Sequence, residues 1–524
     1  MVEGRRTRWI AYGAAFAVLL AAVGILLVRR PWRKPPPFQV SYWYWQTPFT
    51  LDAKLAGQLR EMGVRQLFVR AGTWSTDGKN IVLVAPQQYG KGCDAFPVHL
   101  VFNADSGVTR HFEDLDNAKV ARQIADRIVA RVDQARKAGV LVVGVQLDID
   151  CPTRLLPKYA DIVSRIRRDD PLLARKGGLQ FSVTGLTSWL GSAGVTSLGR
   201  QLDFMVPQAY EGVTGRTVDD VRPVFDPDTL RRGLWQAESL PCPYWFGVPA
   251  YGHAFLFDDK GQLVSTYRGL EAQDALRHPK FQLEAAYPAS RTGKRVELEK
   301  DWVGEELAEF RAVQPAADGR GLGYRLVYTL PSPELVARGL ETVLHDRGPG
   351  CQGAVVYRVP EAGSSFTVPM ESVLSRPKGR VPQVRVEAKL RSESDTLGAM
   401  EATEPGLPAD VWIELTNTGD SATFVAPDAF VIDLQFDKPG FGDVRLRDFD
   451  AVQFLRDGVE TSPARADKLR LSKGWFYPGE TLKVGPIRLL DSVPFHAKIA
   501  WRARLPSGLK TTQGTLPEAS VGGS

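Results

Sequence analysis

A chain of 524 residues is too long for one ordinary hydrophobic core and reads as two or three domains. Its formal net charge of +6, with no Lys/Arg block apart from the arginines flanking an N-terminal apolar run, argues against a dedicated nucleic-acid binder. Four scattered cysteines (Cys93, Cys151, Cys242, Cys351) form no C-x-x-C pair, which together with only 6 histidines argues against a structural zinc site.

In chain order, residues 1–9 form a short tail carrying Arg5, Arg6 and Arg8. The apolar run from Ile10 to Val28 follows. At 1.5 Å rise per residue, about 19 residues span a hydrocarbon core. The run ends in Val-Arg-Arg rather than in the small residues of a cleavage site, so the pattern predicts an uncleaved, single-pass signal anchor. Basic residues on both sides leave the orientation open by charge. Residues 29–37, rich in Pro and Arg, read as a stiff stalk.

From Phe38 onward, strands alternate with amphipathic helices. Strands are expected over 40–45, 64–70, 141–150, 179–184, 202–208, 244–249, 324–330 and 353–359, and helices over 51–62, 118–138, 156–168, 230–239 and 333–345. This alternation across residues 38–375 predicts an α/β fold, a (β/α)8 TIM barrel with insertions. The competing doubly wound sheet lacks a Gly-rich phosphate loop after the first strand. Residues 376–383 read as a linker. Beyond it, short alternating strands over 384–505 predict an Ig-like β-sandwich with an accessory role, and residues 506–524 a loose tail.

One stretch organises the barrel. Residues 141–152, L-V-V-G-V-Q-L-D-I-D-C-P, form an apolar strand whose far end is polar. Side chains alternate, so Gln146, Asp148 and Asp150 face one side and Val145, Leu147 and Ile149 the other. A single Asp there could simply cap the next helix. A row of two acids and an amide is costly to bury, and barrel active sites are built at such strand ends. Other strand ends carry Gln208, Tyr210 and Glu211, then Tyr251, then Tyr357, while Tyr42, Tyr44 and Trp45 stand at the first strand. Any one of these aromatics alone reads as core. Together they suggest an aromatic-walled pocket with several carboxylates, suited to a sugar chain.

These motifs resemble those of the family-18 glycoside hydrolases, the chitinase and endo-β-N-acetylglucosaminidase group. The family's fourth strand, D-G-x-D-x-D-x-E, is matched in spacing by residues 143–150, V-G-V-Q-L-D-I-D. Its Met-x-Tyr-Asp is similar to the longer run from Met205 to Tyr210-Glu211, and its G-x-P-x-Y-G to Gly247, Pro249, Tyr251 and Gly252. Tyr357 stands where the family has a Trp under the sugar. The chain also looks like a divergent bacterial family of unknown function.

The resemblance implies a polysaccharide substrate, no cofactor and no metal. It further implies Asp150 as general acid and Asp148 as the neighbour orienting an acetamido group, which attacks the anomeric carbon. Tyr210 and Glu211 would hold that group, with Gln146, Gln208, Tyr42, Tyr44, Trp45, Tyr251 and Tyr357 binding substrate. Two departures stand out: Asp150 is one methylene shorter than the family's Glu, and Gln146 replaces an Asp. Two readings follow. One is a membrane-anchored glycosidase of an envelope or secreted polysaccharide, its soluble domains extracytoplasmic; the other is a non-catalytic glycan-binding or assembly protein on a degenerate barrel. An extracytoplasmic barrel would also favour a Cys93–Cys151 disulfide over buried thiols.

Overall fold

The computed structural model describes residues 35–521 apart from 175–177, 211–215, 222–223, 225, 268, 289–304, 317–320, 376–379, 393–408, 438, 491–494, 507–510 and 518. The expected anchor, residues 10–28, and most of the stalk lie outside the described residues. Among the described residues, no helix is long and apolar enough to cross a membrane.

Eight parallel strands make a closed barrel: Gln39–Tyr44, Leu67–Thr76, Pro97–Ala104, Leu141–Asp148, Gln180–Leu186, Phe204–Gln208, Tyr244–Pro249 and Cys351–Tyr357. Each pairs with the next, and the first closes on the last with Tyr42 opposite Val356. Helices wrap the outside, several of them started by side-chain caps. Asp52 accepts from the Leu55 N–H at 2.7 Å, Asp116 from Lys119 at 2.8 Å and Ser332 from Leu335 at 3.1 Å, each satisfying a donor that the helix itself leaves open.

Strand alternation sorts residues into two cores. Outward-facing Val69, Leu100, Val145, Leu147 and Val183 pack against Ile124, Ile128, Val132, Ile162 and Ile166 of the helices. Inward-facing Trp43, Phe68, Val101, Phe204, Trp245 and Val355 fill the barrel. His99 belongs to this filling and stacks on Phe68 at 4.7 Å. Burial pushes its imidazole down to about 3, so it is a neutral ring in the core. A Cβ on Gly144 would come within 2.2 Å of that ring, which is why the central strand carries a glycine here.

Two expected barrel strands need correction. Residues 324–330, read above as a barrel strand, lie in an insertion between the seventh and eighth barrel strands. There Arg325–Pro331 runs antiparallel to both His253–Phe257 and Glu305–Ala312 in a five-stranded sheet. Leu326, Tyr328 and Leu330 are buried on one face of it and Val327 on the other, so the run is as apolar as a barrel strand. The third barrel strand is instead Pro97–Ala104, absent from the strands expected above because Pro97, His99 and Asn103 interrupt its apolar pattern.

C-terminal to the barrel, two antiparallel sheets face each other around Val411, Ile413, Leu415, Ile432, Leu434, Leu471 and Ile487, a β-sandwich-like unit. Its end is not a loose tail: Thr511–Thr515 and Ala519–Val521 both pair with Phe495–Arg504. The unit packs on the insertion, where Trp475 and Tyr477 are buried beside Phe310 and Tyr328. Trp475 also donates to the Gly363 carbonyl at 3.2 Å, and Arg277 pairs with Asp450 at 2.9 Å.

Candidate active site

Asp148 closes the fourth strand, in register with Asn103 on the third. Its Oδ1 accepts from the Thr184 hydroxyl at 2.6 Å and from Gln208 Nε2 at 3.5 Å. Burial pushes this carboxyl above its ordinary range, and the two hydrogen bonds pull against that shift without cancelling it. Asp150 lies two residues further, beyond the strand end, and is exposed. Both carboxylates open onto a cleft of about 710 Å³ lined also by Trp45, Gln208, Tyr210, Tyr251 and Tyr357.

Tyr357 is the hub of the aromatic wall. Tyr210 stacks on it with centroids 5.7 Å apart and planes at 20°, while Tyr251 meets it edge-on at 4.7 Å and Trp45 at 5.2 Å. Tyr210 is 8% exposed, and its hydroxyl has no hydrogen-bond partner among the described residues. Burial holds that phenol well above its usual range, so it is a neutral hydroxyl on a residue that lines the cleft.

Not every expected residue reaches the cleft. Gln146 shares the parity of Asp148 but lies deeper, fully buried, accepting from the Trp43 indole N–H at 2.9 Å and donating to Ser182 at 3.2 Å. It braces the floor and does not line the cleft. Tyr42 and Tyr44 face outward into the helix layer, where the Tyr44 hydroxyl donates to the Thr50 carbonyl at 3.1 Å. On that strand the inward parity belongs to Trp43, with Trp45 beyond it. Glu211 lies outside the described residues. Cys93 and Cys151 are both buried free thiols, so no disulfide joins them. Burial pushes the Cys151 thiol up to about 12, which makes it an inert packing group.

Other residues that line or support the cleft escaped the sequence reading. Thr184 carried a usable signal, since Ser182 and Thr184 alternate with Phe181 and Val183 and so face inward. His253, Tyr267, Glu271 and Asp274 come from the insertion and have no motif to announce them. Among the described residues, no cluster of three or more His, Cys, Asp or Glu is arranged to hold a metal ion.

A family model described as "Domain of unknown function (DUF3142)" matches residues 109–312, a stretch holding Asp148, Asp150, Gln208, Tyr210 and Tyr251. Among curated proteins no sequence matches the chain. Similar solved structures include the spore cortex-lytic enzyme SleL of Bacillus megaterium, at 11% identity and TM-score 0.38, covering 62% of this chain and 71% of that one. A Chromobacterium violaceum chitinase is 15% identical at TM-score 0.37, covering 61% and 94%. A glycoside hydrolase family 18 N-acetylglucosaminidase from Paenibacillus barengoltzii is 8% identical at TM-score 0.37, covering 61% and 95%. The chain is similar to family-18 glycoside hydrolases.

Proposed function

We propose that this chain is a glycoside hydrolase of an envelope or secreted polysaccharide, with Asp150 as its general acid. The observation carrying the reading is the convergence of Asp148 and Asp150 on one cleft walled by Trp45, Tyr210, Tyr251 and Tyr357. Aromatic faces seat sugar rings and a carboxyl protonates the leaving oxygen. In this scheme Asp150 delivers its proton to the glycosidic oxygen as the bond to the anomeric carbon breaks. The acetamido oxygen of the same sugar forms the new bond to that carbon. Asp148, held by Thr184 and Gln208, orients the acetamido N–H, and the neutral Tyr210 hydroxyl donates to the acetamido oxygen.

Anchoring belongs to the same proposal. Residues 36–38 join the barrel at its strand-entry end, where Arg347 donates to the Pro36 carbonyl at 3.1 Å and lies over the Phe38 ring. The cleft is at the opposite end, so a lipid anchor at residues 10–28 would turn the cleft away from the membrane.

A second reading, a glycan-binding barrel without turnover, draws on the exposure of Asp150 and on Gln146, whose amide is engaged by Trp43 and Ser182. Product release from N-acetylated and non-acetylated polysaccharides by the full-length chain and by Asp150→Asn separates the two. Cleavage by the native chain, reduced on the order of a hundredfold or more in the variant, supports the hydrolase. Full activity in the variant removes Asp150 from its role, and binding without cleavage in both favours the second reading.

A further inference from the structure

The chain leaves the barrel ladder just before the proposed acid. Backbone pairing of the fourth strand ends with Asn103 opposite Asp148 on one side and with Val183 opposite Leu147 on the other. Asp150 therefore lies on the connection to the next helix, Leu156–Asp169, and its carboxyl is only as well placed as that connection is rigid. The hydrolase reading leaves open what holds it there.

The connection is held on both sides of Asp150. Ile149 and Cys151 are fully buried, so the segment is pinned at either neighbour of the exposed side chain. The Cys151 N–H donates to the Ile149 carbonyl at 2.8 Å, closing a three-residue turn with Asp150 at its centre. The Cys151 carbonyl in turn accepts from the Trp189 indole N–H at 3.1 Å. Trp189 is itself fully buried, sits in the short turn Thr187–Trp189 directly after the fifth barrel strand, and meets the Tyr159 ring edge-on at 6.3 Å. An indole N–H can only donate, and here its hydrogen goes to the carbonyl next to the acid. The same strand carries Thr184, whose hydroxyl holds Asp148. One strand and the turn after it thus grip Asp148 by its side chain and Asp150 by the adjoining main chain.

We infer that Trp189 is a positioning residue for the acid: its indole N–H fixes the turn centred on Asp150 and so aims the carboxyl into the cleft. This rests on the proposed function and adds to it a residue that lies behind the cleft and touches no substrate. A displacement of about 1 Å in a catalytic group can cost on the order of a hundredfold in rate, so an anchor on the very next carbonyl bears directly on the proton transfer.

The test removes the N–H from the full-length chain. Trp189→Phe is the simple variant; benzothienylalanine placed at position 189, an isostere of tryptophan without the N–H, keeps the packing should the smaller ring loosen the core. Hydrogen exchange on peptides spanning residues 148–155 should speed up about fivefold in both proteins, with the barrel strands of the isostere unchanged. Hydrolysis is followed on N-acetylated glucosamine oligomers carrying a phenyl or a dinitrophenyl leaving group, of which the phenyl depends far more on a proton from the acid. The ratio of kcat for phenyl to kcat for dinitrophenyl should fall about tenfold in both proteins with KM little changed, and adding Trp189→Phe to Asp150→Asn should lower it no further. A tryptophan that merely fills the core would lower kcat on the two substrates alike. Unchanged exchange at residues 148–155 overturns the inference, as does an unmoved ratio in a chain that cleaves both substrates. Faster exchange in a chain that cleaves neither removes the hydrolase reading alone and leaves Trp189 as the anchor of Asp150.

Discussion

The Thr184 hydroxyl donates to Asp148 Oδ1 at 2.6 Å, joining the side chains at the ends of two adjacent barrel strands. That bond opposes the burial that raises the Asp148 carboxyl. Thr184→Val keeps the shape and removes the donor. The Asp148 carboxyl should then titrate at higher pH, and the limb of the pH–rate profile that follows its ionisation should move to higher pH. Turnover at neutral pH should fall about tenfold through loss of positioning, with Thr184→Ser restoring most of it. An unmoved profile in Thr184→Val would detach Thr184 from Asp148.

How much of this site was legible depended on what each strand offered. On the central strand, apolar Val145 and Leu147 alternate with polar residues, so parity alone put Asp148 and Asp150 on one side. The first strand, Q-V-S-Y-W-Y, carries aromatics on both faces and gives no parity signal, which is why Tyr42 and Tyr44 were expected inside and Trp43 was not singled out. Depth is also invisible to parity: Gln146 faces inward like Asp148, yet lies one step lower, under the cleft. The insertion escaped because Arg325–Pro331, covered on both faces, has the composition of a barrel strand.

Gln146 offers a direct measure of what its departure from the family pattern does. It serves both Trp43, as acceptor, and Ser182, as donor. Gln146→Ala should destabilise the barrel by about 1–3 kcal/mol, because the buried indole N–H loses its acceptor. Gln146→Asp is shorter, cannot donate to Ser182 when ionised and buries a charge, so it should cost about 2–3 kcal/mol and lose more stability as pH rises. Denaturant unfolding of the three proteins across pH checks both, and a fully stable Gln146→Asp at neutral pH would show that the floor already tolerates an acid.

At the junction of insertion, barrel and sandwich, Glu306 is 2% exposed, and its Oε1 has no hydrogen-bond partner among the described residues. Burial, reinforced by Glu334, raises its carboxyl well above the ordinary range. A raised carboxyl binds its proton more tightly in the folded state than in the unfolded one. Its contribution to stability is therefore fully present below the unfolded value and is lost as pH rises towards the folded one. Glu306→Gln should remove this dependence and stabilise the junction by about 1–2 kcal/mol at neutral pH, with a smaller gain at low pH. Thermal unfolding of both proteins from acid to neutral pH tests it, and a gain that grows on acidification would contradict the sign.

The sharpest distinction between a working enzyme and a degenerate barrel lies in the length of one side chain. Asp150 is exposed at the rim, and a carboxyl reaching from there is one methylene shorter than the Glu of the resembled motif. If Asp150 is the acid of a functioning site, the backbone after Leu141–Asp148 has adjusted to the shorter residue, and Asp150→Glu pushes the proton about 1 Å past its target, lowering turnover on the order of a hundredfold. If the barrel has lost catalysis through that shortening, the same change brings the carboxyl back into reach and turnover rises from background. Burst and steady-state product release from the N-acetylated oligomers reads the sign directly. We expect the fall, because Thr184 and Gln208 hold Asp148 in place beside the aromatic wall, an arrangement that serves orientation of a reacting group more than passive binding.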